Sequence, residues 1–421
     1  MKALILTHGT RGDCQPFVDL ANSLSGAGHK VVLGAPRNSA RSVADQSIDV
    51  VEFDDLVEDM LRDPIVRAGM ALNFRGIRGK RGGLRFSRKL KELAPIMLKD
   101  MHMAAKFGGD VVIHHGALPG QEIAEQLGVP AARTCLAPFL VPNSSVPRPS
   151  VQIRLPKILN RASYLPGRLT QFALERIKSI RSRGFGNFES GNGSRHTMPC
   201  RDKSGNVVIH AFSEKILPPE ARYPSWVHTT GFWYPKVESQ WRPSSELESF
   251  LSAGDAPVYI GFGSMVGDPR RSHEIIHAAV QKANVRAIIS TGWGGITRSD
   301  SSDQVFYIGE TSFQWLFPRV KAVVHHGGCG TASPALYAGQ PQVICPFIHD
   351  QHFFARQMHM LRVAPEPLPQ RNLDATTLAR RIRQVVEDRT FATRAEEVAQ
   401  LIQPEDGIGS TISLLEQLTG N

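Results

Sequence analysis

The chain has 421 residues, of which 41% are hydrophobic and 21% charged, and its formal net charge is +10. This composition is typical of a folded globular protein and excludes a disordered chain, and no run approaches the roughly 20 apolar residues of a membrane-spanning helix. The length exceeds that of one ordinary domain and predicts two.

The first fifty residues alternate between strand and helix patterns. The apolar run KALILTHG at 2–9 predicts a strand, and HKVVLGAP at 29–36 predicts a second one. Between them we predict a helix that starts at Pro16, because proline is tolerated in a first turn, and stops at the glycines 26–28. The N-terminal apolar run is too short for a signal peptide, so we expect a cytoplasmic protein.

Further strand patterns extend this first sheet. A short helix is predicted near 37–46, and strands are predicted at IDVVEF (48–53), GDVVIHHGA (109–117), VPAART (129–134) and NVVIHAF (206–212). Strands separated by helical segments are typical of βαβ units and of a doubly wound parallel sheet.

Between about 136 and 200 the strand pattern gives way to proline-rich loops and basic segments, and the Gly/Ser-rich stretch 184–194 predicts a mobile loop. Residues 1–201 hold 29 Lys and Arg against 17 Asp and Glu, whereas residues 202–421 hold 20 against 22. The basic half therefore either carries solvated helix faces or meets an anionic partner such as an acidic small molecule or a lipid headgroup. The few aromatic residues in the basic runs, and the absence of a recognisable binding module, argue against nucleic acid.

The second half repeats the alternation and predicts a second parallel sheet. Its strand patterns are PVYIGFGSM (257–265), VRAIIST (285–291), QVFYIG (304–309), AVVHH (322–326) and PQVICPF (341–347), with helices near 272–283 and 314–317, another from Thr331, and only helix after Leu373. The fold class is therefore α/β, with two Rossmann-like doubly wound domains that face a central cleft, where such sheets bind ligands. We place the domains at 1–235 and 257–400, joined by a linker at 236–256, with a last helix at 401–421 that packs back on the first domain.

The glycine-rich loop HHGGCGTA at 325–332 is the strongest candidate for a ligand site. Its glycines allow close approach of a ligand to the backbone, and Thr331 could cap the following helix while it offers a hydroxyl. A helix N-terminus binds anions, and His326 adds a donor. Because the lysine of a P-loop is missing, the loop suits a diphosphate that leaves rather than a phosphate that is transferred. The alternative is a glycine turn required only for packing.

Two other loops follow predicted strands. GFGSMVG at 261–267 has a spacing one residue away from a dinucleotide fingerprint, and Ser264 is better interpreted as a further donor to the same diphosphate. In HGTRGDCQP at 8–16, Gly9 and Gly12 make a turn before Asp13. This aspartate is either a helix cap or a general base that faces the donor across the cleft.

Cysteine and histidine patterns do not predict a metal site. The five cysteines are odd in number and never form a C-x-x-C pair, which argues against a disulfide framework and a thiolate zinc site. The histidine pairs and the HDQH run at 349–352 lack a third ligand at a readable spacing.

Together these motifs resemble the family-one nucleotide-sugar glycosyltransferases of the GT-B fold, especially the bacterial branch that includes sterol glucosyltransferases and antibiotic glycosyltransferases. The resemblance rests on residues 9–36, 257–265, STGWGG at 290–295, 315–336 and CPFIHDQHFFARQ at 345–357, in this order and spacing. The basic region 60–205 matches poorly, and it is where that family has its acceptor pocket.

The resemblance implies roles for individual residues. Asp13 would be the base that takes the acceptor proton, and Asp350 and Gln351 would hydrogen-bond the sugar. The diphosphate contacts would be Ser264, His326, Gly328, Gly330 and Thr331, and the nucleoside contacts Trp293, Phe313 and Gln314. Pro334 stands where many relatives use a glutamate on the ribose, which leaves the choice between uridine and thymidine donors open.

The implied activity is inverting, metal-independent transfer of a sugar from a UDP- or dTDP-sugar, which serves as co-substrate in place of a cofactor. The acceptor would be a hydroxyl of a small molecule such as an antibiotic aglycone. A sterol or membrane lipid is the alternative, with peripheral membrane contact through the basic N-terminal domain. Other classes are a non-catalytic binder of nucleotide sugar or lipid, a Rossmann oxidoreductase and a nucleotide-sugar epimerase.

Overall fold

The computed structural model describes residues 1–43, 45–72, 74, 76–152, 155–165, 206–234, 241–263, 269–292 and 301–420. Two predicted site residues, Ser264 and Trp293, and the predicted mobile loop at 184–194 lie outside the described residues. Within these ranges, no helix combines the length and the apolar character needed to cross a membrane.

A seven-stranded sheet forms the first half of the molecule. All its strand pairs are parallel, in the order β3-β2-β1-β4-β5-β6-β7. The strands are β1 (Lys2–Leu6), β2 (Lys30–Pro36), β3 (Asp49–Phe53), β4 (Val111–His115), β5 (Ala131–Cys135), β6 (Val207–His210) and β7 (Val227–Thr229). The central strands β1 and β4 bury apolar side chains on both faces of the sheet, because helices cover both faces.

The helices of this half are α1 (Arg11–Gly26), α2 (Arg37–Ala40), α3 (Leu56–Arg62), α4 (Pro64–Ala71), α5 (Gly76–Ala105), α6 (Gly120–Leu127) and α7 (Lys157–Asn160). The helix predicted near 37–46 is only one turn long. The long helix α5 was not predicted, because glycines interrupt its pattern. They serve close packing, since a Cβ atom on Gly82 would lie 2.4 Å from the Cα atom of Gly69 in α4.

The first helix begins earlier than predicted. Thr10 and Asp13 form a reciprocal capping box that starts α1 at Arg11, so Pro16 lies inside the helix and Asp13 in its first turn. The prediction of a start at Pro16 was wrong because the satisfied backbone groups of the capping box outweigh the one hydrogen bond that the proline removes.

A five-stranded parallel sheet forms the second half, in the order β10-β9-β8-β11-β12. Its strands are β8 (Val258–Gly261), β9 (Ala287–Ser290), β10 (Val305–Ile308), β11 (Ala322–His325) and β12 (Gln342–Ile344). The first five strands of each half share one topology, and the two similar runs at 111–116 and 323–328 fall on β4 and β11, the fourth strand of each. The doubly wound α/β prediction is confirmed.

The helices of the second half are α8 (Ser245–Ser252), α9 (Pro269–Ala283), α10 (Phe313–Leu316), α11 (Cys329–Tyr337), α12 (Gln351–Met360), α13 (Ala375–Glu387), α14 (Arg389–Ile402) and α15 (Gly407–Thr419). Helix α8 lies within the segment predicted as a linker, and it buries Leu247 and Phe250 against the second sheet. Helix α15 packs on the first half, where Trp233 Nε1 donates to Thr411 Oγ1 at 2.9 Å. The exact domain limits stay a prediction.

Candidate functional site

The side chain of His325, the last residue of β11, holds the glycine-rich loop in place through hydrogen bonds. Its Nδ1 accepts a hydrogen bond from the backbone N–H of Gly327 at 3.0 Å, and its Nε2 therefore donates to Gln342 Oε1 at 2.8 Å. Gln342 Nε2 in turn donates to the carbonyl of Ala332 in α11 at 3.2 Å. Burial lowers the pKa of His325 to about 3, so the ring is neutral. His325 is a positioning residue that the sequence analysis missed, although a histidine that ends a buried strand is a usable signal.

His326 sits between two glycines that have no room for a side chain. A Cβ atom on Gly263 would lie 2.9 Å from His326 Cε1, and one on Gly328 would lie 2.5 Å from Nε2. Burial lowers the pKa of His326 to about 4, against the opposing effect of the Asp13 charge. Its Nδ1 is buried and has no partner among the described residues. The site therefore holds a neutral imidazole with an unused hydrogen-bonding group.

Helix α11 begins at Cys329, three residues after His326. Gly328 is the N-cap, and no side chain caps the helix, so Thr331 lies inside the first turn. The prediction that Thr331 caps this helix was wrong, because the extended Gly328 ends the loop three residues earlier. A Cβ atom on Gly330 would lie 3.3 Å from the Cα atom of Gly12 in α1. The N-termini of α1 and α11 therefore meet across the cleft, and both present positive partial charge to it.

Asp13 both caps α1 and faces the cleft. Its Oδ2 accepts hydrogen bonds from the backbone N–H and the hydroxyl of Thr10, each at 2.8 Å. Its Oδ1 accepts none from the residues that the structure describes. Gly9, at φ +144°, leaves the space for this carboxylate, since a Cβ atom there would lie 2.7 Å from Oδ2. The capping interpretation is correct for one oxygen, and the other remains available for chemistry.

Residues of the second half surround Asp13. Its charge raises the pKa of Asp350 and opposes the burial that lowers the pKa of His326 and His349. Burial is the largest cause for Asp350, and together the two effects raise its pKa to about 7. From the first half, His115 at the end of β4 also lies within reach of the Asp13 charge. The structure thus brings together the sequence-predicted residues Asp13, His326 and Asp350 from three separate loops.

Only one of the two polar groups of the Gln351 side chain is available to a ligand. Its Oε1 accepts hydrogen bonds from the backbone N–H groups of Phe347 and Ile348, at 2.8 and 3.0 Å. These bonds orient the buried side chain at the start of α12, which leaves the Nε2 amino group as the part that can contact a ligand.

The predicted nucleoside residues lie on α10. The Phe313 ring stacks on Phe317 at 4.4 Å between centroids and meets Tyr259 edge-on at 5.6 Å, so packing already occupies much of its surface. Gln314 is exposed. Along the described part of the chain, no three His, Cys, Asp or Glu side chains lie together in a way that could hold a metal ion.

Comparisons with known proteins connect this geometry to a family. Residues 283–405 match the model for the C-terminal domain of erythromycin biosynthesis protein CIII-like proteins. A sterol 3-beta-glucosyltransferase of Arabidopsis thaliana is 29% identical over 428 residues, which are 98% of this chain but 64% of that protein. This chain therefore spans less than two thirds of the length of that relative. The O-mycaminosyltylonolide 6-deoxyallosyltransferase of Streptomyces fradiae is 28% identical over 438 residues, 99% of this chain and 97% of that enzyme.

The same fold occurs in a solved glycosyltransferase structure. The crystal structure of the glycosyltransferase VinC in complex with dTDP superposes with a TM-score of 0.61 at 18% identity, and the match covers all of both chains. Likeness at this identity establishes the fold, and the sequence matches establish the relationship. The sequence matches and the shared fold together support a family-one glycosyltransferase of the GT-B fold, and the similar proteins include both sterol glucosyltransferases and antibiotic glycosyltransferases.

Proposed function

We propose that this protein is an inverting, metal-independent glycosyltransferase that moves a sugar from a UDP- or dTDP-sugar to a hydroxyl of a small-molecule acceptor. One observation carries the proposal. The Asp13 carboxylate is held in the first turn of α1, with one oxygen free, and acts electrostatically on His326 and Asp350 of the opposite half. A base and an anion site thus share one cleft.

The N-terminus of α11 is the proposed diphosphate site. The donors would be His326, the backbone at Gly328 and Gly330, and Thr331, with Ser264 as a further predicted contact. The related VinC structure contains dTDP, which supports a nucleoside diphosphate as the ligand class. The Asp350 carboxylate and the free Nε2 of Gln351 would bind sugar hydroxyls, and Trp293, Phe313 and Gln314 would contact the nucleoside.

The proposed chemistry is a single displacement. Asp13 Oδ1 takes the proton of the acceptor hydroxyl while that oxygen attacks the anomeric carbon, and the bond from this carbon to the diphosphate oxygen breaks. Negative charge grows on the diphosphate, where the α11 N-terminus and the His326 N–H stabilise it. Preorganised donors of this kind each lower a barrier by roughly 3 kcal/mol. Attack from the face opposite the diphosphate inverts the anomeric centre.

The acceptor is proposed at the level of class. The match over 97% of the Streptomyces fradiae enzyme favours a secondary-metabolite aglycone. A sterol or membrane lipid is the second candidate, favoured by the match to the plant sterol glucosyltransferase. Peripheral membrane contact would then use α5, where Ile77 and Leu84 are 90% and 69% exposed among basic residues. The cytoplasmic location stays a prediction.

Asp13→Asn tests the base. We expect turnover to fall by about 10² to 10⁴, because an amide cannot take the proton, while the amide oxygen still accepts a hydrogen bond from the Thr10 backbone. Mass spectrometry of the product measures turnover, and calorimetric titration with UDP and dTDP measures nucleotide affinity. Turnover at the wild-type rate would exclude Asp13 as the base. Absence of product from both proteins, with nucleotide binding retained, would instead favour the non-catalytic binder.

His326→Ala tests the diphosphate site. We expect the affinity for UDP or dTDP to fall by about 10- to 100-fold, the usual range for a lost hydrogen bond to a charged group. His102→Ala, which removes an exposed histidine at the end of α5, is the matched control. Equal calorimetric affinity in both variants would remove His326 from the donor site.

Asp350→Asn tests the proposed carboxyl environment through stability. In the folded protein the Asp350 carboxyl keeps its proton up to about pH 7, compared with its ordinary pKa of 3.8, so folding stability falls as the pH rises through this window. The substitution removes this pH-dependent loss of folding free energy, which is at most roughly 4 kcal/mol for three pKa units. The melting temperature of Asp350→Asn, measured relative to that of the wild type, should therefore rise from pH 5 to pH 8. A difference in melting temperature that does not change with pH would contradict the raised pKa.

The stereochemistry and metal requirement are checked on the product. Single displacement predicts that the ¹H NMR coupling at the anomeric proton reports the configuration opposite to that of the donor, and that excess EDTA leaves the rate unchanged. A retained configuration would rule out direct displacement, and loss of activity restored by a divalent cation would rule out the metal-independent mechanism.

A further inference from the structure

Two arginines border the sugar end of the proposed site, and neither has an acidic partner in the part of the chain that the structure describes. Arg148 lies in the loop after β5, and Arg356 lies on α12, the helix that begins with Gln351. Both side chains are half-buried, and neither forms an ion pair with a carboxylate among the residues that the structure describes. Burial lowers the pKa of Arg356 to about 10 and that of Arg148 below its ordinary value, and only the Tyr164 phenol opposes this effect in each case.

The two guanidinium groups flank the same buried phenol. Tyr164 donates its hydroxyl proton to the carbonyl of Val146 at 3.2 Å, and both arginine charges act on it. Arg356 donates through Nη1 to the carbonyl of Val151, whereas its Nη2 is buried and has no partner in the described chain. The Arg148 guanidinium lies 5.9 Å from the centre of the Phe139 ring. Among the described residues, neutral groups therefore hold both arginines in place, and no carboxylate compensates their charges.

These charges lie beside the proposed reaction centre. The Arg148 charge acts on His349, the residue before Asp350, and the Asp13 charge acts on the same histidine from the other side. The Arg356 charge acts on His352 in the first turn of α12. The arginines thus lie near the proposed sugar contacts. Arg148 lies in the region 60–205, where the resemblance implies the acceptor pocket, and Arg356 lies on α12 of the second half and reaches Val151 of the first half.

A half-buried cation without a counter-charge costs free energy, and an anion that binds there recovers it. The planar guanidinium fork matches the oxygens of carboxylate and phosphate groups, and such charge-assisted hydrogen bonds are among the strongest in proteins. We propose that Arg148 and Arg356 form an anion subsite that binds a carboxylate or phosphate group carried by the acceptor. The subsite rests on the proposed function and narrows its substrate class to acidic acceptors.

The simpler role for these residues is structural, since Arg356 ties Val151 to α12 and the Arg148 backbone N–H donates to Ser163 Oγ in the loop region after β5. Arg148→Met is the more informative variant, because the Arg148 side chain makes no hydrogen bond with the described residues. Its backbone hydrogen bonds, from its N–H to Ser163 Oγ and from the Val151 N–H to its carbonyl, are kept in the variant. Arg356→Lys keeps the charge and removes the fork. The matched control is Arg161→Met, which removes an exposed charge from the same segment.

Matched acceptors measure the subsite in turnover. With UDP-glucose and dTDP-glucose as donors, mass spectrometry compares 4-hydroxybenzoate, 4-hydroxycinnamate and lithocholic acid with their methyl esters, and 4-hydroxyphenyl phosphate serves as the phosphate arm. We expect kcat/KM to favour the acids at least tenfold in the wild type and in Arg161→Met. In Arg148→Met the acids should lose this advantage while the esters stay within twofold. Preference for the phosphate or the carboxylate arm identifies the group.

Other outcomes separate the two proposals. Equal use of acids and esters by the wild type, or a parallel fall for both in Arg148→Met, would overturn the subsite and leave the glycosyltransferase proposal intact. If no acceptor receives sugar, the proposed function fails, and ligand-observed NMR with 4-hydroxybenzoate and its methyl ester then decides on the subsite. Binding of the acid that weakens at least tenfold in Arg148→Met and Arg356→Lys supports it, and binding that is equal to that of the ester overturns it.

Discussion

The site depends on the approach of two helix N-termini across the cleft. Helices α1 and α11 meet at Gly12 and Gly330, where a Cβ atom on Gly330 would lie 3.3 Å from the Gly12 backbone. No side chain caps α11, and both helix N-termini present positive partial charge at this point, so the contact favours an anion at the start of α11. The same approach carries Asp13, in the first turn of α1, to the loop that holds His326. Without glycine at this contact, base and anion site would be held further apart.

The polar groups around this contact are buried at a cost to stability. Burial keeps His325 and His326 neutral and keeps the Asp350 carboxyl protonated up to about pH 7, and His326 Nδ1 has no partner among the described residues. His325 differs from its neighbour, since both its ring nitrogens are satisfied. His325 therefore stabilises the loop, whereas His326 Nδ1, which has no partner among the described residues, is available to a ligand. Local features that cost stability in this way are typical of functional sites.

Sequence reasoning predicted the parallel sheets because buried strands appear as apolar runs. It predicted the candidate site loops because each follows a predicted strand, and the roles of their residues stay a prediction. It failed where tertiary packing decides. Helix α8 was interpreted as linker because its two buried side chains find their partners only in the second sheet. The start of α1 was misplaced because a proline rule was preferred to the Thr10–Asp13 capping box. Arg148 and Arg356 carried no signal, since only the fold brings residues so far apart in the chain to one phenol.

Helix α12 connects the two sides of the proposed reaction. It begins at the proposed sugar contacts Asp350 and Gln351, and in its middle Arg356 donates to the carbonyl of Val151 while Gln357 donates to that of Ile216, both in the first half. A helix is stiff over ten residues, so a shift of these first-half loops would move Asp350 and Gln351 with it. The proposed donor and acceptor sites would therefore share one rigid element. An anion bound to Arg356 would act on the same helix that orients Asp350, and acceptor charge would then help to position the sugar for attack.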